Sequence, residues 1–226
     1  VCVSLANMGV ETEFVTRLPE NEISRCGIAA LNKYRVKTDN IPVGGDRIGI
    51  FYCEKGASQR PSKVIYDRMN TGFTTCKTED YDWEKIFDGA GYFHFTGITP
   101  ALGESVAAVC LDACKMAKEC GITVSCDLNY RKNLWTTEQA KATMERLLEY
   151  VDILIANEED AEKVLGISAP DTDVTAGKLN KEGYVSVAKQ ICRKYGIPTV
   201  AITLRQSISA SDNNWSGMLY TNDTAN

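Results

Sequence analysis

From residue 91 onward, short apolar runs alternate with longer stretches in which apolar residues return every three or four positions. The first pattern is that of a buried strand and the second that of an amphipathic helix. Residues 91–95 read as a strand, 102–120 as a helix closed by Gly121, and 122–128 as a strand. Thr136 opens a helix with Gln139 as its capping-box partner, and 151–156 is the next strand. A short helix from Glu158, a helix over 183–195, a strand over 199–204 and a further apparent strand complete the chain. Strands alternating with helices predict βαβ crossovers and a mainly parallel sheet with helices on both faces, a three-layer α/β/α fold.

Residues 41–76 break this rhythm. Two β-prone runs, 47–53 and 63–68, are separated by Glu-Lys-Gly-Ala-Ser-Gln-Arg-Pro-Ser with no helix between them, which predicts an antiparallel pair. Residues 1–40 and 77–226 are then an α/β core, and 41–76 a small β lid inserted in it. The chain opens at Val1 inside a helical pattern closed by Gly9 and stops soon after a strand, so it is expected to be part of a longer protein.

With 226 residues, 44% hydrophobic and 24% charged, the chain has a sizeable core to bury. A net charge of -5 offers no basic footprint for nucleic acid, so an anionic ligand would depend on local Arg and Lys. No apolar run is long enough to span a bilayer and the start lacks the pattern of a signal peptide, so no membrane partner is expected and the cytoplasm is the expected compartment. The nine cysteines form no CxxC pair, and a single histidine, His94, cannot complete a Cys2His2 zinc set. Cys110, Cys114 and Cys120 on a helix and Cys126 on a strand read as buried thiols without chemistry. His94 reads as a satisfied core or strand-end residue.

In an open parallel sheet, ligands bind beyond the carboxyl ends of the strands. All four such places here are polar: Thr96-Gly97-Ile98-Thr99, Asp127-Leu128-Asn129-Tyr130-Arg131, Asn157-Glu158-Glu159-Asp160 and Thr203-Leu204-Arg205. Asp127, Asn129 and Arg131 alternate with strand period, and would point one way if the strand ran on. Arg131 then either offers a two-pronged contact to a carboxylate or phosphate, or pairs with Asp127 to close the loop. Asn157 with Asp160 three residues later has the form of a helix cap; the same acidic cluster also suits the waters of a nucleotide-bound Mg2+. Gly44-Gly45 reads as a turn. Neither GxxxxGK[ST] nor GxGxxG occurs, which removes support for a Walker-type NTPase or a standard dinucleotide binder.

Val1-Cys-Val-Ser-Leu-Ala-Asn-Met-Gly9, Phe93-His-Phe-Thr-Gly-Ile-Thr-Pro-Ala-Leu102, Asp127-Leu-Asn-Tyr-Arg-Lys-Asn-Leu-Trp135 and Ala156-Asn-Glu-Glu-Asp160 stand in the order found in ribokinase-like (phosphofructokinase B) carbohydrate kinases. Together they resemble that family, and Asp-x-Asn-Tyr-Arg-x-x-Leu-Trp is similar to the version in 2-keto-3-deoxygluconate kinases. The resemblance implies ATP- and Mg2+-dependent phosphorylation of a sugar acid under a closing lid. It implies that Phe51, Tyr66, Arg68 and Arg131 contact the sugar. Asn129, Tyr130, Arg131, Asn157, Thr203 and Arg205 would line the nucleotide site, and Asp160 would reach Mg2+ through water.

This chain departs from the family pattern in places. Phe51 stands where the subgroup often has a Tyr, and Tyr52 is a candidate to supply the lost hydroxyl. Asp160 shortens the usual Glu by one methylene. Leu204-Arg205-Gln206-Ser207 replaces a Gly-containing turn, leaving Arg205 either at a phosphate or at the edge of the site. The family's Gly-Ala-Gly-Asp segment, with its catalytic Asp, does not occur, so that Asp is expected beyond Asn226 and this stretch alone is expected to catalyse no transfer. Two alternatives remain open: a kinase for a neutral sugar such as fructose or ribose, and a non-catalytic sugar-binding homologue. The lid's strand edges suggest a homo-oligomer.

Overall fold

The computed structural model describes residues 1–168, 181–207 and 213–222, without the side chains of Glu158, Lys181, Arg205, Gln206, Ser207 and Asn213. The chain divides into two compact units, Val1–Ile86 and Phe87–Asn226.

The first unit begins with the expected helix, α1 (Cys2–Asn7). A second helix, α2 (Glu22–Asn32), has no counterpart in the sequence reading; its Asn21 cap accepts the Ser24 N–H at 2.9 Å. Strands β1 (Ile50–Glu54) and β2 (Lys63–Asp67) form the expected antiparallel pair, with Phe51 opposite Tyr66 and Tyr52 opposite Ile65. Below them Gly44-Gly45 is more than a turn. Gly45 takes a left-handed φ of 80°, and a Cβ there would lie 2.3 Å from the Gly72 Cα, so two backbone segments cross at contact distance. Arg17 closes the crossing by donating to the Gly72 carbonyl at 3.1 Å and pairing with Asp80 at 3.1 Å. A short helix, α3 (Trp83–Phe87), ends this part of the chain.

The second unit is a five-stranded sheet of β3 (Tyr92–Thr96), β4 (Thr123–Asp127), β5 (Ile153–Ala156), β6 (Thr199–Ser207) and β7 (Asn213–Thr221), in that spatial order. The first four strands are parallel and β7 is antiparallel to β6. Between them run α4 (Glu104–Glu119), α5 (Thr137–Leu148), α6 (Glu158–Leu165) and α7 (Lys181–Tyr195), as the apolar periodicity predicts. The Thr136–Gln139 capping box forms in both directions. Val124, Cys126, Leu154, Ala156, Val200 and Ile202 are buried at alternate strand positions, and Met144, Leu147, Leu148 and Ile191 complete the core from α5 and α7.

Some expectations fail for local reasons. Cys110, Cys114 and Cys126 are buried, but Cys120 is exposed because it caps the C-terminus of α4. His94 is satisfied, with Nδ1 2.8 Å from Ser125 Oγ, yet it stands on an exposed strand face rather than in the core. Among the described residues, no helix is long and apolar enough to cross a membrane.

A close backbone contact lies at the carboxyl edge of the sheet. The Gly97 N–H donates to the Asp127 carbonyl at 2.7 Å, and a Cβ on Gly97 would sit 2.1 Å from the Leu128 carbonyl oxygen. Both partners are backbone, so neither moves without displacing a strand end. Gly97→Ala is expected to lower stability by about 1–3 kcal/mol in urea unfolding, the range for overpacking a close contact. An unchanged midpoint would show that the two loops separate freely.

Candidate functional site

Strand register brings the polar ends of the second unit to one edge. Thr96, Asp127 and Ile155 stand side by side, as do Ala156 and Ile202 one step on. Asn129, Asn157 and Thr203 follow at the same level, where ligands bind in sheets of this kind. Thr203 Oγ1 reaches the Ala156 carbonyl at 3.5 Å. The expected strand end at 204 is wrong, however. Pairing with β7 carries β6 through Ser207, with Thr203 opposite Gly217, so Thr203 is a strand residue with no turn after it. The Arg205 backbone lies opposite Trp215, and its side chain falls outside the described residues.

The loop after β4 is built by a backbone reversal rather than by strand period. Leu128 N–H is still hydrogen-bonded to the Ile155 carbonyl at 2.9 Å, but Asn129 then adopts φ 38°, a left-handed conformation that Asn tolerates better than most residues. Asp127, Asn129 and Arg131 therefore do not share a strand face, which corrects the reading from spacing. The Asn129 amide donates to Thr96 Oγ1 at 3.1 Å. Tyr130 has both polar groups engaged within the protein, its hydroxyl with the Trp135 carbonyl at 3.3 Å and its N–H with Asp160 Oδ1 at 3.2 Å. Arg131 is exposed, and no ion pair joins it to Asp127, although its charge lowers the proton affinity of both Asp127 and Asp160. Burial pushes the Asp127 carboxyl up, partly offset by His94, the Asn129 N–H and Arg131.

The helix-cap reading of Asn157 holds: its side chain accepts the Asp160 N–H at 2.7 Å. Asp160 itself is 5% exposed, and its pKa is raised to about 6, mainly by burial and further by Asp127 and Glu159, against the Tyr130 N–H and Arg131. One carboxylate with an oxygen already engaged suits a contact to Mg2+ through water, not direct coordination. Among the described residues, no group of three His, Cys, Asp or Glu side chains is placed to hold a metal. A cleft of about 500 Å3 lined by Tyr130, Lys132, Asn133 and Trp135 lies beside the loop; neither Asn157 nor Thr203 lines it.

In the first unit, the Arg68 guanidinium rests 4.5 Å from the centre of the Tyr66 ring, and the Phe51 and Tyr66 rings lie 6.4 Å apart. Strand alternation puts Phe51 and Tyr66 on one face and Tyr52, opposite Ile65, on the other. Tyr52 therefore does not share the face of Phe51. Two other lid arginines are committed, Arg47 to Asp67 at 2.7 Å and Arg60 to Glu54. Arg68 has no such acid partner among the described residues.

The raised Asp160 pKa makes stability depend on pH. The folded state holds this proton more tightly than the unfolded chain, so the stabilising contribution is present below about pH 4 and is lost as pH rises through about 6. Asp160→Asn is therefore expected to match the parent near pH 4 and to exceed its stability at pH 7 by up to about 3 kcal/mol in ligand-free urea unfolding. A difference that does not grow with pH would show that Asp160 is not penalised by burial.

Residues 1–204 match the pfkB family of carbohydrate kinases. The chain is 32% identical over 179 residues to 2-dehydro-3-deoxygalactonokinase of Haloferax volcanii, covering 79% of this chain and 56% of that protein. It is 24% identical over 196 residues to 2-dehydro-3-deoxygluconokinase of Bacillus subtilis, covering 81% and 60%. The crystal structure of 2-dehydro-3-deoxygluconokinase from Thermotoga maritima shares 53% identity and a TM-score of 0.90, over 98% of this chain and 65% of that one. The chain thus spans between 56% and 65% of the length of these relatives. A match over most of its length, together with a parallel sheet whose polar carboxyl edge carries the Asp-x-Asn-Tyr-Arg loop, shows that this chain belongs to the pfkB family of carbohydrate kinases.

Proposed function

We propose that the protein containing these residues transfers the γ-phosphoryl group of ATP, with Mg2+, to 2-keto-3-deoxygluconate, the 2-dehydro-3-deoxy sugar acid, forming its 6-phosphate. The observation that carries the choice of an acid over a neutral sugar is Arg131, exposed at the carboxyl edge with no ion-pair partner among the described residues. Arg68, likewise without an acid partner among the described residues, is the second cation available to a carboxylate. A neutral sugar would leave Arg68 without an anion and Arg131 with the nucleotide phosphates alone. The relatives named for sugar-acid kinases favour the same reading.

In this proposal Arg131, Arg68, Tyr66 and Phe51 contact the sugar, with Phe51 contributing apolar surface only. Asn129, Tyr130, Arg131, Asn157, Thr203 and Arg205 border the nucleotide, Tyr130 through its ring because its polar groups are engaged. Asp160 would meet the Mg2+ water shell through Oδ2, and the ion would supply charge neutralisation on the phosphates. Residues 41–76 act as the lid on a core of 1–40 and 77–226. The exposed apolar residues Ile50, Tyr52 and Ile65 on the face away from Phe51 suit pairing with a second copy. Dependence on ATP and a chain of thiols suit the cytoplasm.

A coupled kinase assay on the natural polypeptide that contains this sequence tests the proposal. The sugar acid is expected to exceed fructose and ribose in kcat/KM, and Arg131→Ala to lower that value about tenfold to a hundredfold, as for loss of a charge-assisted hydrogen bond. Preference for a neutral sugar, or an Arg131→Ala variant with parental kinetics, would overturn it.

A further inference from the structure

Two helices of the second unit begin with the same sequence device and end with different bonding. At α5 the Thr136 hydroxyl accepts the Gln139 N–H, and Gln139 returns the bond by accepting the Thr136 N–H at 2.9 Å. At α6 the first half is present, with Asn157 accepting the Asp160 N–H. The return bond is not made. Asp160 Oδ1 instead crosses to a residue 30 positions earlier and accepts the backbone N–H of Tyr130.

The reason lies in the turn at Asn129. Leu128 N–H is the last of this segment to reach the β5 backbone, at the Ile155 carbonyl. The left-handed step at Asn129 then rotates the following peptide out of the ladder, so the Tyr130 N–H needs an acceptor from elsewhere. Asp160, 5% exposed and held by the cap of its own helix, supplies it. Arg131 follows directly. Its side chain is exposed and joined to no carboxylate among the described residues, so its position is set by the backbone that bears it, fixed on one side at Tyr130 and on the other by the Leu134 N–H bonded to the Arg131 carbonyl at 2.9 Å.

We propose that Asp160 is a positioning residue: its carboxylate latches the Tyr130 backbone and thereby aims Arg131 at the substrate. The proposal rests on the sugar-acid kinase reading for its kinetic consequences alone. It separates Asp160 from a purely metal-directed role, because the latch uses an oxygen that an amide also possesses. Asp160→Asn retains the latch whatever it does to the Mg2+ requirement, whereas Asp160→Ala abolishes it.

The test combines amide exchange at Tyr130 with a double-mutant cycle, on the natural polypeptide. In Asp160→Ala, Tyr130 exchange is expected to accelerate at least about tenfold and KM for 2-keto-3-deoxygluconate to rise about tenfold; in Asp160→Asn, Tyr130 exchange stays within about twofold of the parent. Because the effect acts through Arg131, adding Asp160→Ala to Arg131→Ala raises KM no further. Multiplicative effects on KM, or Tyr130 exchange unchanged by Asp160→Ala, would overturn the latch. If Asp160→Ala does not fold, the parent decides: Tyr130 must exchange at least about a hundredfold more slowly than the exposed Lys132, and comparable rates overturn the proposal. Should no sugar acid be phosphorylated, the functional reading fails while exchange at Tyr130 still decides the latch.

Discussion

At Asn129 the backbone leaves β4 through a left-handed step, and the residues on either side are held by contacts that leave no slack. Before it, the Gly97 backbone lies against Asp127 and Leu128 closely enough to exclude a methyl group. After it, the Tyr130 N–H is bound by Asp160. At the turn, the Asn129 side chain ties back to Thr96. The end of β3 and α6 thus fix four consecutive residues, and the next residue is Arg131. A long flexible cation serves recognition when little conformational entropy remains to be lost on binding, and a pinned backbone removes part of that loss in advance.

Electrostatics at the edge follow from the same packing. Asp127 and Asp160 flank the loop, and burial disfavours the ionised form of both. Neither forms an ion pair with Arg131, although each feels its charge. Among the described residues, no acid therefore takes the guanidinium in an ion pair. In the first unit Arg47 and Arg60 are matched with acids, whereas Arg68 lies over the Tyr66 ring, an arrangement that orients a cation without neutralising it.

Local signals in the sequence were read correctly where a short range decides the structure. Apolar periodicity located α4 to α7 and β3 to β6, the Thr136–Gln139 box and the Asn157 cap formed, and the β1–β2 pair stands where the helical rhythm lapses. The failures share a different cause. Spacing would put Asp127, Asn129 and Arg131 on one face if the strand ran on, but β4 ends at Asp127 and the φ of Asn129 breaks the period. Nothing in Asn157-Glu-Glu-Asp160 discloses that Asp160 bonds to Tyr130, because the partner lies in another loop. The length of β6 depends on β7, and the idle position of Tyr52 depends on its register with Ile65. Cys120 and His94 carried buried-residue signals, and only the end of α4 and the exposed face of β3 put them in solvent.

A crystal structure of the natural polypeptide with 2-keto-3-deoxygluconate bound addresses the role of Arg131 most directly. The sugar carboxylate is expected within charge-assisted hydrogen-bond range of the guanidinium, about 2.7–2.9 Å, with the Tyr130–Asp160 bond intact. A bound sugar acid whose carboxylate is held elsewhere, with Arg131 directed into solvent, would contradict the assignment.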